Sequence, residues 1–311
     1  MAENLIEDKV VLIKKETTYG TDPTPTGAAN AILTTGFQIQ PNESTRVDRN
    51  LDRPGYGASP AIMAGKNVGF GFRVEAVGSG AAGTAPAFGP VLQMGGFAEV
   101  VDAGVSVTYA PVSEDPASAT MYFYQGPNLH KGLGGRAGVG FEAAALAIPY
   151  FTADGRALYV APAAGAPTGV DYSDFLTPRP VEDAITPTFS LHSHGAVMQR
   201  LSIGAGRSPT YRNLVNQEAI RLPPRRIEGS CTIIAPAIAT KDYYAAMAAE
   251  TLGALSFVHG VTAGRIVAVA ASLVQIVSIA HTEIDGELGL DLGLLFVASD
   301  AGDDELSFIF T

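Results

Sequence analysis

The chain has 311 residues, of which 47% are apolar and only 16% charged; this excludes a disordered chain, a coiled coil and a long amphipathic helix array. Its 20 basic and 31 acidic residues leave a net charge of −11, the opposite of the basic groove that grips nucleic acid. A single cysteine rules out an internal disulfide and a cysteine-built zinc site.

The opening MAENLIEDKVV lacks the basic start and apolar stretch of a secretion signal. The longest apolar run, Ile266 to Ala280, is fifteen residues and is interrupted by Ser272, Gln275 and Ser278, too short to span a bilayer. A soluble, turn-rich protein made in a cytosol is expected, with 35 glycines and 20 prolines to supply the turns. Val68 to Val77 alternates strictly, with Phe70, Phe72, Val74 and Ala76 on one face, which predicts a half-buried strand. Thr84 and Pro86 then predict a helix from Ala85 to Phe97. Strands follow through Val100–Tyr109, Thr120–Tyr124, Gly138–Ile148 and Ala157–Val160, with a hairpin turn at Asp154-Gly155.

The second half repeats this order. A strand from Arg226 to Ala235 leads to a helix from Thr240 to Leu252, with Thr240 as N-cap, Gly253 as stop and Tyr243, Met247 and Leu252 as its buried stripe. Strands are predicted at Ala254–Val258, Arg265–Ala270, Leu273–Ile279, Gly286–Phe296 and Glu305–Phe310, with a turn at Asp285-Gly286. The small-residue stretch Ala161 to Gly169 reads as a linker. The expected architecture is mainly β: two tandem domains, 1–162 and 163–311, each with one flanking helix and one long polar loop; that each is a β-sandwich or barrel is what the family resemblance given below implies. Residues 1–155 carry 10 basic and 15 acidic side chains and residues 156–311 carry 10 and 16, so neither half is a basic nucleic-acid module.

No enzyme signature assembles. Gly78, Gly80 and Gly83 form a GxGxxG after a strand, with Asp102 19 residues further on, but the neighbours are hairpins rather than parallel crossovers, so no nucleotide site is expected. His192 and His194 alternate on an expected strand and share a face, without a third ligand. Cys231 reads as a buried thiol and Asp300, Asp303, Asp304 and Glu305 as a solvated acidic turn. The two polar loops mix arginine, acids and tyrosine, the chemistry of a protein interface as well as of a solvated loop. Their candidate contact residues are Arg46, Asp48, Arg49, Asp52, Arg53 and Tyr56 in the first, and Arg207, Tyr211 and Arg212 in the second.

The segments Lys14–Leu33, Glu75–Phe88, Tyr211–Asn216, Arg226–Ser230 and Asp303–Phe308 together resemble the tail tube (major tail) proteins of long, non-contractile-tailed bacteriophages. The resemblance spans essentially the whole chain. It implies a structural, non-enzymatic virion protein without cofactor, assembled in the host cytoplasm into stacked rings around a channel for DNA ejection. Its implied partners are further copies of itself, the tail terminator, tape measure and distal tail proteins, and double-stranded DNA passing without specific binding; no membrane is involved. Most relatives with one such domain form hexameric rings. Two domains per chain imply trimeric, pseudo-hexameric rings. A DNA channel should be acidic, which makes Glu283, Glu287 and Asp291 candidate lumen residues around the Asp285-Gly286 turn, unless they face outer solvent. Glu75 and Glu142 hold comparable positions in the first half, with Arg73 and Arg136 nearby. The alternatives are another phage structural component, from capsid or baseplate, and a ligand- or carbohydrate-binding β-sandwich.

Overall fold

The computed structural model describes residues 7–49, 51–52, 54, 57–204 and 206–311. The fold is mainly β. In chain order its elements are β1 (Lys9–Lys15), α1 (Gly27–Asn30), β2 (Ala31–Ile32), β3 (Thr35–Val47), β4 (Ile62–Glu75), α2 (Gly89–Met94), β5 (Phe97–Asp102), β6 (Ser106–Pro111), β7 (Ala119–Gln125), β8 (Asn128–Ala144), β9 (Tyr150–Tyr159) and β10 (Ala163–Ala164). There follow β11 (Thr188–Leu191), β12 (His194–Gly195), β13 (Met198–Ile203), β14 (Thr210–Leu214), β15 (Gln217–Arg221), β16 (Glu228–Ile234), α3 (Tyr243–Ala248), β17 (Leu252–His259), β18 (Val267–Ile284), β19 (Glu287–Phe296) and β20 (Ser307–Phe310).

Alternation in sequence becomes alternation in burial. Along β4, Phe70, Phe72 and Val74 are buried, while Arg73 between them is exposed. Both predicted helices form, but shorter. Pro86 closes a turn to Gly89 and Pro90 occupies the first turn, so α2 starts at Gly89. Thr240 is not a cap: its own N–H donates to Ala237 in the preceding turn, and Asp242 takes the N-cap by accepting from the Ala245 N–H at 2.8 Å. Of the expected stripe, Tyr243 is buried and Met247 packs on the core, but Leu252 is exposed and opens β17.

The two expected turns diverge. Asp285 and Gly286 have φ of +50° and +87° and close the β18–β19 hairpin. Asp154 and Gly155 instead lie inside β9, paired on both sides. Gly155 is glycine because a Cβ there would overlap the Phe70 ring and the Arg136 carbonyl oxygen. Arg265–Ala270 and Leu273–Ile279 merge into the single strand β18. The first polar loop is largely a β-hairpin arm, since β3 and β4 pair out to Val47 and Ile62. His192 and Ser193, both at positive φ, form the tight turn between β11 and β12, so the two histidines do not alternate along one strand.

The pairing path is the same in both halves. In the first it runs β2-β1-β7-β8-β9-β4-β3, with β10 also on β8. In the second it runs β12-β11-β17-β18-β19-β16-β13, with β20 also on β18. The additions differ: the β5–β6 hairpin follows α2, whereas the separate β14–β15 hairpin stands between β13 and β16. Among the described residues two strand-to-strand junctions join the halves, β13 on β8 and β20 on β6, with an isolated parallel bridge between Ala145 and Val181 beside them. The buried core is continuous across them. The Phe141 ring lies tilted against Phe151 at 5.3 Å and Phe257 at 5.7 Å, and Phe151 meets Phe308 edge-on at 5.0 Å.

Candidate functional site

Two arms project beyond the paired sheet. On the first, Arg46 Nε binds Asp48 Oδ1 at 2.6 Å with side chains 65% and 58% exposed, a pair worth little in water. Arg49 and Asp52 are exposed next to it, and Arg53 and Tyr56 lie outside the described residues. The arm also exposes Val47, Leu51, Ile62 and Met63, apolar surface that a solvated loop does not need. The second arm, β14–β15, is stiffened by Tyr211 donating to Glu218 at 2.6 Å and by the Arg212–Gln217 bond, and it exposes Leu214 and Val215 at its turn. The arms lie side by side: a Cβ on Gly65 of the first would sit 3.2 Å from the Tyr211 ring. At the foot of the second arm, the Ile220 N–H donates to the Tyr19 hydroxyl at 2.6 Å and Arg136 donates to the Ile220 carbonyl at 3.0 Å. Arg207 is not an arm residue. Its guanidinium turns inward and donates to the carbonyls of Gly95 and Gly96 at 2.9 and 3.2 Å, clamping the end of α2 to the second half. Burial lowers its pKa to about 10, so it stays charged at neutral pH.

The second feature is a sheet face. Eight strands are hydrogen-bonded in the order β3-β4-β9-β8-β13-β16-β19-β18. One side of this run buries the core. Rows of cross-strand partners occupy the other: Glu75, Tyr150, Glu142, Ser202, Ser230, Gly293 and Ser278 in one row, and Arg200, Thr232, Asp291 and Ala280 in the next. Most are small or hydroxylic, and the charges are sparse. Arg73 sits 3.9 Å from Glu142, Thr232 donates to Asp291 at 3.3 Å, and partial burial raises the pKa of Glu75. Glu287 and Asp291 share this face, because Ile284 and Ala280 oppose them. Glu283 opposes Leu288 and points to the other side, and Asp285 lies in the turn.

A protein-family model described as phage tail tube protein matches residues 7–293. The chain belongs to the phage tail tube protein family. It is thus a structural protein of the phage tail, and no curated protein matches it.

Within a tail tube protein the other sequence signals have structural causes. The GxGxxG glycines permit close backbone approach: a Cβ on Gly78 would overlap Gly264, and one on Gly83 would overlap the Asp102–Gly104 turn. Gly80 donates to the Gly264 carbonyl at 2.8 Å, so this loop is a contact between the halves. His192 is buried with Nε2 2.8 Å from the Val274 carbonyl, and burial lowers its pKa. Burial likewise pushes the Cys231 thiol up to about 12, leaving it inert. The acidic turn is a hub rather than a solvated cluster, because Arg225, which the sequence did not single out, binds Asp303 and Glu305 and reaches the Ser113 hydroxyl at 3.2 Å. Among the described residues no group of three or more His, Cys, Asp or Glu could hold a metal, and no helix is long and apolar enough to cross a membrane.

Proposed function

We propose that this tail tube protein polymerises into stacked trimeric rings whose channel carries DNA during ejection. Each chain supplies two tandem tube domains, 1–162 and 163–311. The observation that carries the reading is the repeated pairing path, with one repeat joined edge to edge to the next through β13 and β8. Eight strands from each of three chains make 24. Strands about 4.8 Å apart and tilted by about 40° then close a backbone cylinder of roughly 48 Å, wide enough for a duplex once lined with side chains. Two chains would close at roughly 32 Å, and a side-chain layer about 5 Å deep on each wall would leave a bore close to the width of the duplex itself. Native mass measurement of an isolated ring tests this: three chains of 32.2 kDa are expected, and six would overturn it. Terminator, tape measure and distal tail proteins would meet the ends of such a tube, and assembly would proceed in the host cytoplasm.

The arms are the elements suited to axial contact between rings. Exposed ion pairs gain strength when partly desolvated in an interface. Reversing Arg49 and Arg53 to Glu is therefore expected to leave the circular dichroism of the free chain unchanged and to abolish tube formation in negative-stain images. Normal tubes from the double variant would show that the arm is only solvated.

The face carrying Glu287 and Asp291 suits the lumen. Small side chains and scattered carboxylates offer phosphates few cations to grip, and each lysine added there invites counterion release and sticking. Glu287→Lys with Asp291→Lys is expected to assemble normally and to slow DNA delivery, with the defect shrinking as salt rises. Wild-type delivery by variant tubes would argue that these acids face outward.

A further inference from the structure

The junction inside the chain gives the register of the junction between chains. In the first half β8 meets β9 with Glu142 opposite Tyr150, and Tyr150 in turn opposes Glu75 at the end of β4. In the second half Thr282 opposes Gly289, which opposes Ile234 at the end of β16. Glu142 therefore corresponds to Thr282 and Glu75 to Ile234. The other edge of the strand gives the same alignment independently. There the first residue of β7, Ala119, pairs with Gly135, and the first residue of β17, Leu252, pairs with Gln275. Both comparisons displace β8 onto β18 by the same number of residues.

On the partner side, Ser202 of β13 opposes Ser230, and Gln38 of β3 opposes Gly71, which is the counterpart of Ser230. Ile203 then corresponds to Ile39, Arg200 to Thr35, and Leu201 to Phe37 beside the irregularity between Thr35 and Gln38. Within the chain, Arg200, Leu201, Ser202 and Ile203 pair antiparallel with Ala144, Ala143, Glu142 and Phe141. The strands corresponding to this pair are open. Among the described residues β3 pairs only with β4, and β18 beyond Gln275 pairs only with β19.

We propose that β3 of one chain pairs antiparallel with β18 of a second copy, with Thr35 opposite Ile284, Phe37 opposite Glu283, Gln38 opposite Thr282 and Ile39 opposite His281. This rests on the ring reading above and specifies its chain-to-chain contact. A second observation supports it. Lys9 Nζ binds the Phe37 carbonyl at 3.1 Å, which puts an ammonium on the open edge of β3. The residue this register sets opposite Phe37 is Glu283, an exposed acid. The corresponding positions of the internal junction, Leu201 and Ala143, carry no charge. Lysine also keeps an unpaired edge from pairing indiscriminately, so the ion pair between Lys9 and Glu283 favours the end-to-end partner over a wrong one.

The test is a cysteine pair, Gln38→Cys with Thr282→Cys, in assembled material under mild oxidation. Covalent dimers and closed trimers are expected on non-reducing gels, with none from either single variant and far fewer from Gln38→Cys with Ala280→Cys, two residues out of register. Lys9→Glu is expected to raise the concentration needed for assembly by roughly two- to fivefold per junction, and Lys9→Glu with Glu283→Lys to restore it. Rings without the cross-link in register, or without charge-swap rescue, overturn the junction and leave the ring reading standing. A wild-type chain that forms no rings overturns both.

Discussion

Phe141→Ala is expected to lower the stability of the whole chain by about 3–5 kcal/mol, the cost of emptying a large aromatic site in a close-packed core. Phe141 has no solvent exposure, and its ring lies among Phe151 of the first half and Phe257 and Phe308 of the second. The same strand also carries the β13 junction, where Phe141 opposes Ile203. Both halves should therefore melt together and earlier, as one transition in calorimetry and circular dichroism. Two separated transitions, with the second half unchanged, would show that the continuous core does not couple them.

Arg225→Met should cost a similar amount for a different reason. The Arg225 side chain is 11% exposed and that of Glu305 7%, so removing the guanidinium strands a buried carboxylate. Breaking a buried pair from one side costs about 3–5 kcal/mol, whereas replacing both partners with apolar groups is often neutral. Arg225→Met with Glu305→Leu should thus recover most of the loss in urea unfolding. Arg225→Lys should not, because a point-charge ammonium cannot hold Glu305 and Asp303 with one planar fork. The Asp303 pKa is lowered first by the Ser113 hydroxyl and then by Arg225, from an ordinary value of 3.8. A depressed carboxyl stabilises the fold above that value and loses the contribution as pH falls through the folded pKa, so the wild type should lose more stability than Arg225→Met on acidification below about pH 4. Equal acid sensitivity would place the hub's strength elsewhere.

What was legible in the sequence was local. The alternation of β4 and the Asp285-Gly286 turn each state a backbone requirement in adjacent residues. The repeat of strand, helix and strand was visible for the same reason, because each helix has its own start and stop. Asp154-Gly155 misled because the same dipeptide also suits a strand crossed by a large ring, and the ring belongs to Phe70, far away in sequence. The helices were overextended because Pro90 and Asp242 set their starts, and a cap is chosen by geometry among several eligible residues. Arg207 sits in a polar stretch that looks uniformly interfacial and Arg225 directly follows it, yet one clamps α2 and the other holds the acidic turn. Only the positions of their distant partners separate them from Arg212. The pairing of β13 with β8 leaves no local trace, since any alternating strand could take that edge.

That pairing has a kinetic consequence. Two edges carried on one chain meet at an effective concentration fixed by the tether, in the millimolar range for flexible connections, whatever the amount of protein in the cell. In the trimeric ring proposed above, every second domain contact would then form as the chain folds, and only the alternate ones would wait for a collision. Nucleation becomes a three-body event rather than a six-body one, with a correspondingly shallower dependence on protein concentration. Such a subunit could start a ring at a lower protein concentration than six separate domains would need.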